Sequence, residues 1–120
     1  IEFDSGTNIL YGDNAQGKTN ILEAIFLSAT TKSHKGSKDK EIINFDKEEA
    51  HIRTYIEKDT DVRKVDVHLR KGKSKIAHID GVKVKKAADL LGLCNVVFFS
   101  CLYIETQNMI VFISLIIFRK

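Results

Sequence analysis

Eight residues near the start of the chain have the types and the spacing that bind the phosphates of a nucleotide. They are Gly12, Asp13, Asn14, Ala15, Gln16, Gly17, Lys18 and Thr19. Two glycines separated by four residues and followed by lysine and threonine make a P-loop, in which backbone N–H groups turn inward to cradle an anion. We expect Lys18 to reach the β- and γ-phosphates and the Thr19 hydroxyl to bind Mg²⁺.

A P-loop needs a strand before it and a helix after it. Residues 8–11 read as a short buried strand. Residues 20–27 read as a helix that continues to about Ala29. Its apolar face is predicted from the helical spacing of Ile21, Leu22, Ile25 and Phe26. This context favours a nucleotide-binding loop over a chance glycine turn.

The middle of the chain predicts an antiparallel meander. Residues 50–56 and 64–70 alternate apolar and polar side chains, which is typical of strands with one buried and one wet face. Residues 76–84 contain Asp80-Gly81 between apolar residues, a strong signal for a hairpin turn. Residues 85–91 predict a short helix capped by Gly92, and residues 96–99 predict a strand buried on both faces that returns to the central sheet.

Positive charge is concentrated in this meander. Between Val62 and Lys86 there are nine Lys and Arg residues against two Asp, although the whole chain has a net charge of only +3. Such a stretch either binds an anionic polymer or forms a solvated sheet face. Lys71, Lys73 and Lys75, at a turn between two strands, are our candidates for contact with such a polymer.

Length and cysteine content set broad limits. A chain of 120 residues is about one domain. Cys94 and Cys101 do not have metal-ligand spacing, and the four histidines are scattered. With no visible targeting segment, free thiols in a reducing compartment are the simplest reading, and we expect a cytoplasmic protein without a membrane partner.

Several segments together resemble one family. The P-loop runs directly into Asn20-Ile21-Leu22-Glu23-Ala24-Ile25, and further matching segments are Lys32-Ser33-His34-Lys35, Asp39-Lys40-Glu41-Ile42-Ile43, Ile79-Asp80-Gly81, Ala88-Asp89-Leu90-Leu91-Gly92 and Asn95-Val96-Val97-Phe98-Phe99-Ser100. Over residues 1–100 the chain resembles the amino-terminal lobe of RecF, a bacterial recombination mediator with an ABC-type ATPase head. Position 35 is usually arginine in that family and is lysine here, which keeps the charge but loses bidentate geometry.

The resemblance implies ATP and Mg²⁺ as cofactors and DNA, single-stranded and gapped duplex, as partner. It also implies RecR- and RecO-like proteins as partners, an ATP-dependent homodimer in the full-length family, and a role in DNA replication, repair, recombination and the SOS response. The fold class that we expect is α/β, an incomplete P-loop NTPase lobe with a strand–helix unit and an antiparallel β meander.

Residues 101–120 depart from the family pattern. We divide the chain into a RecF-like lobe, residues 1–100, and an apolar tail for which our hypothesis is a shifted reading frame. Residues 106–118 are thirteen uncharged residues, too short for an ordinary membrane-spanning helix and rich in β-branched and aromatic types. We favour an aggregation-prone or misplaced strand over a membrane contact there.

Two other functions stay open. No hydrophobic run ends in Asp-Glu, so we expect no catalytic residue here and no ATP turnover by the chain alone. The first alternative is therefore a truncated, degenerate product that binds nucleotide weakly or not at all and has no activity of its own. The second is a small-substrate P-loop kinase, which would need an arginine-rich lid and an acidic substrate-binding strand, and neither is evident.

Overall fold

The computed structural model describes residues 1–4, 7–13, 17–32, 42–58, 60–97 and 116–118. Within them the chain forms a helix, a four-stranded meander, a short helix and a small two-stranded sheet. In chain order the elements are α1 (Lys18–Thr30), β1 (Glu49–Lys58), β2 (Asp61–Arg70), β3 (Ile76–Ile79), β4 (Val82–Lys83), α2 (Ala88–Leu91), β5 (Asn95–Val97) and β6 (Ile116–Phe118). The predicted α/β lobe with an antiparallel meander is confirmed.

The meander runs in the spatial order β1-β2-β3-β4, with each strand antiparallel to the next. Its register places Val67 between Ile52 of β1 and Ala77 of β3. Val65, Val67 and Leu69 are fully buried, whereas the residues between them are half-exposed. The alternation read from the sequence therefore describes the two faces of the sheet correctly.

The predicted turn at Asp80-Gly81 joins β3 to β4. Both residues have positive φ, 49° at Asp80 and 84° at Gly81, as the two central positions of a type I′ turn require. Asp80 also ties this turn to β2, because its N–H donates to the Lys64 carbonyl at 2.8 Å and its Oδ1 accepts from the Lys64 N–H at 2.8 Å. The conformation of the turn and its hydrogen bonds to the adjacent strand β2 therefore fix the same pairing of β3 with its neighbours.

Helix α1 packs on the inner face of the meander and forms the core with it. Leu27 lies in one buried cluster with Val65, Val67, Leu69 and residues from neighbouring segments. Ser28 is also buried, and its Oγ lies 2.7 Å from Thr54 Oγ1 of β1. This hydrogen bond between helix and strand fixes the position of α1 along β1.

The predicted apolar face of α1 is only partly right. Leu22 is buried, but Ile21, Ile25 and Phe26 are half-buried. The most deeply buried positions of the helix are Leu27, Ser28 and Ala29 in its last turn. A helix that meets the sheet with its carboxy-terminal end buries consecutive residues there, so a pattern taken from its first turns does not locate the contact face.

Residues 8–11, predicted as a buried strand, form no strand. Ile9 is 75% exposed and Tyr11 is 89% exposed. A strand needs a neighbouring strand to satisfy its backbone groups. Within the described residues, both sheets are built from strands β1 to β6, and none of them pairs with this segment.

The end of the chain also differs from prediction. Residues 95–97 form β5, but β5 pairs antiparallel with β6 instead of returning to the meander, and Phe98 and Phe99 lie outside the described residues. Part of the apolar tail is thus a strand.

Helix α2 covers only the last turn of the predicted residues 85–91. Just before the helix, the Lys86 N–H donates a hydrogen bond to Asp89 Oδ2 at 3.3 Å. Gly92 caps the end of the helix with an ordinary negative φ of −78°.

The Asp80-Gly81 turn gives a test of the meander. Alanine at Gly81 would have to hold a positive φ, which costs about 1–2 kcal/mol. We expect Gly81→Ala to lower the melting temperature by about 4–8 °C per kcal/mol, measured by circular dichroism. Gly92→Ala is the matched control, because Gly92 has a negative φ and a Cβ added there would meet no heavy atom within 4 Å. Equal stability of the two variants would contradict the type I′ turn.

Candidate phosphate-binding site and basic surface

Gly17 is where the loop becomes the helix. It is the N-cap of α1, with φ 85° and ψ 5°, and its carbonyl accepts the first helical hydrogen bond from the Ile21 N–H at 3.1 Å. Gly12, at the other end of the loop, also has a positive φ, 140°. These two conformations are the ones for which a P-loop uses glycine, so their sequence positions and their geometry agree.

The first turn of α1 presents a bare positive end. It contains no acidic residue, and no side chain caps it. The unpaired N–H groups of a helix N-terminus carry about half a positive charge and bind anions. The glycine N-cap leaves this helix end without a side-chain hydrogen bond, as an anion-binding helix terminus requires.

Lys18 spans the loop. Its Nζ donates to the carbonyl of Gly12 at 2.6 Å and to that of Asp13 at 2.5 Å. The ammonium group therefore lies over the first residues of the loop and stays exposed on its other side. Thr19, the next residue in the helix, is half-buried. The structure thus brings Gly12, Asp13, Lys18 and the helix end together, while Asn14, Ala15 and Gln16 lie outside the described residues.

The three lysines predicted to contact DNA lie in the turn between β2 and β3. Lys71 Nζ donates to the Phe45 carbonyl at 3.0 Å and lies 3.6 Å from Glu48 Oε1. Lys73 is exposed, and its N–H donates to the Arg70 carbonyl at 3.2 Å. Lys75 is half-buried next to the start of β3. All three occupy one end of the meander.

The outer face of the sheet is less basic than the residue count suggests. Asp66 Oδ1 lies 2.7 Å from Arg53 Nε and 3.1 Å from His51 Nε2, and Asp66 Oδ2 lies 3.7 Å from Lys64 Nζ. Away from that face, at the Asp80-Gly81 turn, Arg63 Nε lies 2.9 Å from Asp80 Oδ2. Sequence reasoning missed this neutralisation, which the β1–β2 register produces by placing Arg53 opposite Asp66.

Two pKa shifts accompany these contacts. The hydrogen bond from Arg53, aided by its charge and that of Lys64, holds the pKa of Asp66 below its usual value. The same hydrogen bond raises the pKa of Arg53. Elsewhere, burial raises the pKa of the Cys94 thiol, which forms no disulfide.

Other kinds of site are not found in the described part of the chain. Its His, Cys, Asp and Glu residues do not gather into a group of three or more that could hold a metal ion. Neither of the described helices has the length and apolar character needed to cross a membrane.

Comparison with known proteins identifies a family and its relatives. The family model described as an AAA domain matches residues 1–108. The chain is 62% identical over 100 residues to the DNA replication and repair protein RecF of Lachnoclostridium phytofermentans, and 61% identical over 100 residues to RecF of Agathobacter rectalis. Each match covers 83% of this chain and 28% of the relative. The chain therefore spans little more than a quarter of the length of these relatives.

Solved structures give the same result for the fold. The chain is similar to the recombination mediator protein RecF with ATP in the RecFOR pathway, with a TM-score of 0.69 and 36% identity over 77% of this chain and 26% of that chain. It is also similar to RecF with ATPrS, with a TM-score of 0.68 and 36% identity over 76% of this chain and 25% of that chain.

The Asp66 cluster predicts how stability changes with pH. Because the folded state lowers the pKa of Asp66, its contribution is present above the unfolded pKa of about 3.9 and is lost as the pH falls through the folded value. We expect Asp66→Asn to melt below the unsubstituted chain at ~pH 6 and this gap to shrink toward ~pH 2.

The control for this prediction is Asp61→Asn. Asp61 is 71% exposed and lies 3.6 Å from Arg63, so its loss removes only a weak surface pair. A gap for Asp66→Asn that is the same at neutral and acid pH would show that its carboxylate does not contribute as a charge.

Proposed function

The chain belongs to the AAA domain family, and we propose that it binds ATP as the amino-terminal, nucleotide-binding lobe of a DNA replication and repair protein. The observation that carries this proposal is the loop itself. Gly17 opens α1 in a left-handed conformation, and Lys18 reaches back across the loop to Gly12 and Asp13. A RecF relative is 62% identical to the chain over 100 residues, and related solved structures are of RecF with ATP or ATPrS.

The geometry supports binding through the phosphates. The α- and β-phosphates would lie on the N–H groups of the loop and of the first turn of α1, and that turn contains no acidic residue. Lys18 would exchange its two carbonyl contacts for phosphate oxygens, and these charge-assisted bonds are stronger than the ones it gives up. The loop residues Asn14, Ala15 and Gln16 are proposed to contribute N–H groups to the same cradle.

Magnesium is proposed as the second cofactor. Mg²⁺ takes oxygen ligands, keeps several waters and is bound by few protein groups when a phosphate is present. The donor set here fits that chemistry, because the Thr19 hydroxyl in the first turn of α1 offers one neutral oxygen beside the phosphate position. The remaining ligands would come from phosphate oxygens and water, which agrees with the lack of a carboxylate cluster in the described part of the chain.

DNA is the proposed macromolecular partner. The RecF relatives are named as DNA replication and repair proteins, and the related structures place RecF in the RecFOR pathway. We extend to this chain single-stranded and gapped duplex DNA, RecR- and RecO-like partners, an ATP-dependent homodimer, a role in the SOS response and a place in the cytoplasm. Lys71, Lys73 and Lys75, together at one end of the meander, are proposed to meet the DNA backbone.

Loss of the Lys18 ammonium gives the first test. We expect Lys18→Ala to weaken Mg·ATP binding by about 10-fold or more, since a hydrogen bond from a charged group contributes ~1.5–3 kcal/mol. Isothermal titration calorimetry on the purified chain measures the change. Lys83→Ala, which removes an exposed lysine from the outer face of the sheet, is the matched control.

The same preparation separates binding from turnover. We expect phosphate release by the chain alone to stay at background, because the sequence carries no Asp-Glu at the end of a hydrophobic run. Release that Lys18→Ala abolishes would contradict this expectation. Failure of the unsubstituted, folded chain to bind ATP would overturn the proposed function and favour the degenerate alternative. The exposure of Ile9 and Tyr11 beside the loop is the observation that favours that alternative.

The Mg²⁺ proposal is tested at Thr19. We expect Thr19→Ala to remove most of the gain in ATP affinity that Mg²⁺ gives over EDTA, because the hydroxyl ligand is lost. Thr19→Ser, which keeps the hydroxyl, should retain that gain. An unchanged difference between Mg²⁺ and EDTA in Thr19→Ala would exclude Thr19 as a ligand.

A further inference from the structure

Strand β1 has an open edge. It is a ten-residue strand, and in the spatial order β1-β2-β3-β4 it has β2 on one side and no described strand on the other. Every residue of a strand carries backbone N–H and C=O groups that need partners. A long strand with one unpaired edge is therefore a template to which a further strand can add.

The hydrogen bonds between β1 and β2 identify the residues whose backbone groups face this edge. The Lys71 N–H donates to the Glu48 carbonyl at 2.9 Å, directly before β1 begins. Hydrogen-bonded and non-hydrogen-bonded pairs alternate along an antiparallel ladder, so the even-numbered residues of β1 bond to β2. The backbone groups of the odd-numbered residues point to the open edge: Glu49, His51, Arg53, Tyr55 and Glu57.

The apolar face of β1 is incompletely covered. Ile52 and Ile56 pack against the core on the inner face of the sheet, but both are only half-buried. Val65 and Val67 on the neighbouring strand β2 are fully buried. The core therefore stops at a partly exposed rim along β1, and a further strand beside β1 would extend it.

From the open edge and this rim we infer that β1 pairs with β1 of a second copy of the chain, antiparallel and about a two-fold axis. In this pairing Thr54 lies opposite Thr54 of the second copy. His51 then lies opposite Glu57, and Arg53 lies opposite Tyr55. These four residues are ones whose backbone groups face the edge, so the two strands exchange hydrogen bonds there. The two four-stranded sheets join into one continuous sheet.

Complementary side chains on both faces favour a second copy as the partner. On the exposed outer face, each Arg53 meets the ring of a Tyr55, and each His51 meets the carboxylate of a Glu57. On the inner face, Ile52 lies opposite Ile56 in a non-hydrogen-bonded pair, where side chains approach closely. A register shifted so that Arg53 lies opposite Arg53 of the second copy would place like charges together, which is unfavourable.

Helix α1 leaves room for this contact. It lies in the buried cluster with Val65 and Val67 of β2 through Leu27, and it contacts β1 through the hydrogen bond between Ser28 and Thr54. The helix therefore lies above both strands. With a strand spacing of about 4.8 Å, the two copies of α1 would lie roughly 10 Å apart, which is a normal distance for packed helices.

Proline variants of the full chain test the open edge. Tyr55→Pro removes an N–H that faces the edge and leaves the bonds to β2 in place, and proline is tolerated at such positions of edge strands. Lys83→Pro is the matched control on the opposite edge. Lys83 lies opposite His78, next to the hydrogen-bonded pair of Val84 and Ala77, so its N–H points away from β3. Analytical ultracentrifugation over a range of concentrations measures association, and circular dichroism melts show that each variant is folded.

We expect the unsubstituted chain to sediment as a monomer–dimer equilibrium without nucleotide. Tyr55→Pro should raise the dissociation constant of the dimer by about 10-fold or more, because each dimer loses two hydrogen bonds. Lys83→Pro should leave that constant nearly unchanged. An unsubstituted chain that stays monomeric would overturn the pairing. Equal dissociation constants for the two proline variants would assign the contact to another surface of the chain and would overturn it too.

Cross-linking tests the register without proline, in a chain whose Cys94 and Cys101 are replaced by serine. Thr54→Cys places two thiols in a directly opposed pair, with a Cα separation of about 4.5 Å that allows a disulfide. Ile56→Cys is the matched control, because Ile56 lies opposite Ile52 of the second copy and not opposite itself. With copper–phenanthroline as oxidant, we expect Thr54→Cys to form a covalent dimer about 10-fold faster than Ile56→Cys. Equal rates would overturn this register.

The contact uses no residue of the phosphate loop, so it goes beyond the proposed function and fails separately from it. Association should persist in Lys18→Ala and without ATP, and ATP binding should persist in Tyr55→Pro. A dimer that forms only with ATP would be the nucleotide-dependent homodimer proposed above and would overturn pairing through β1. A chain that dimerises through β1 but binds no ATP would overturn the proposed function alone.

Discussion

Burial of the central strand β2 against helix α1 is the contact on which the rest of the structure depends. Val65, Val67 and Leu69 are completely buried, and they meet Leu27, which is equally buried, across the interface. Each such side chain contributes about 1.5–3 kcal/mol when it is removed from water. The Ser28–Thr54 contact adds direction to this apolar packing, because a hydrogen bond at 2.7 Å allows little sliding of the helix along β1.

The anchored end of α1 is not the end that carries the phosphate loop. Its last turn is the most deeply buried, whereas Lys18 and Asn20 in its first turns are half-buried or exposed. The core therefore fixes the carboxy-terminal end of the helix, while its positive amino-terminal end is available to an anion. A packed carboxy-terminal turn and an open amino-terminal turn are compatible with one helix because their requirements differ, apolar area at one end and unpaired N–H groups at the other.

Electrostatic pairing divides the surface of the meander. On the outer face, cross-strand neighbours bring Arg53 opposite Asp66, so cation and carboxylate compensate each other. At the end of the sheet, the loops bring lysines next to lysines. A count of charge along the sequence adds these two regions together. Only the strand register distinguishes the outer face from the end of the sheet. Odd and even residues of a strand point to opposite faces, and turn residues belong to neither face.

Much of this register could be read from local sequence. Asp80-Gly81 fixes one turn, and the alternation around Val65 and Val67 identifies the buried face. The spacing of Gly12, Gly17, Lys18 and Thr19 predicted unusual backbone conformations at both glycines, and both have positive φ, because backbone conformation is set by residue type at neighbouring positions. Strand partners are a non-local property, and there the sequence was insufficient. Residues 8–11 and residues 96–97 have similar apolar composition, yet the first segment is exposed and the second pairs with β6. Apolar character indicates that a segment can form a buried strand. It does not indicate which other segment pairs with it through hydrogen bonds.

The exposure of residues 8–11 bears directly on the phosphate loop. Here α1 fixes the Gly17 side, and Ile9 and Tyr11 provide no comparable packing on the Gly12 side. The two bonds from Lys18 to the carbonyls of Gly12 and Asp13 tie the Gly12 side to the helix. To bind a phosphate as proposed, the same ammonium group would have to release those two carbonyls.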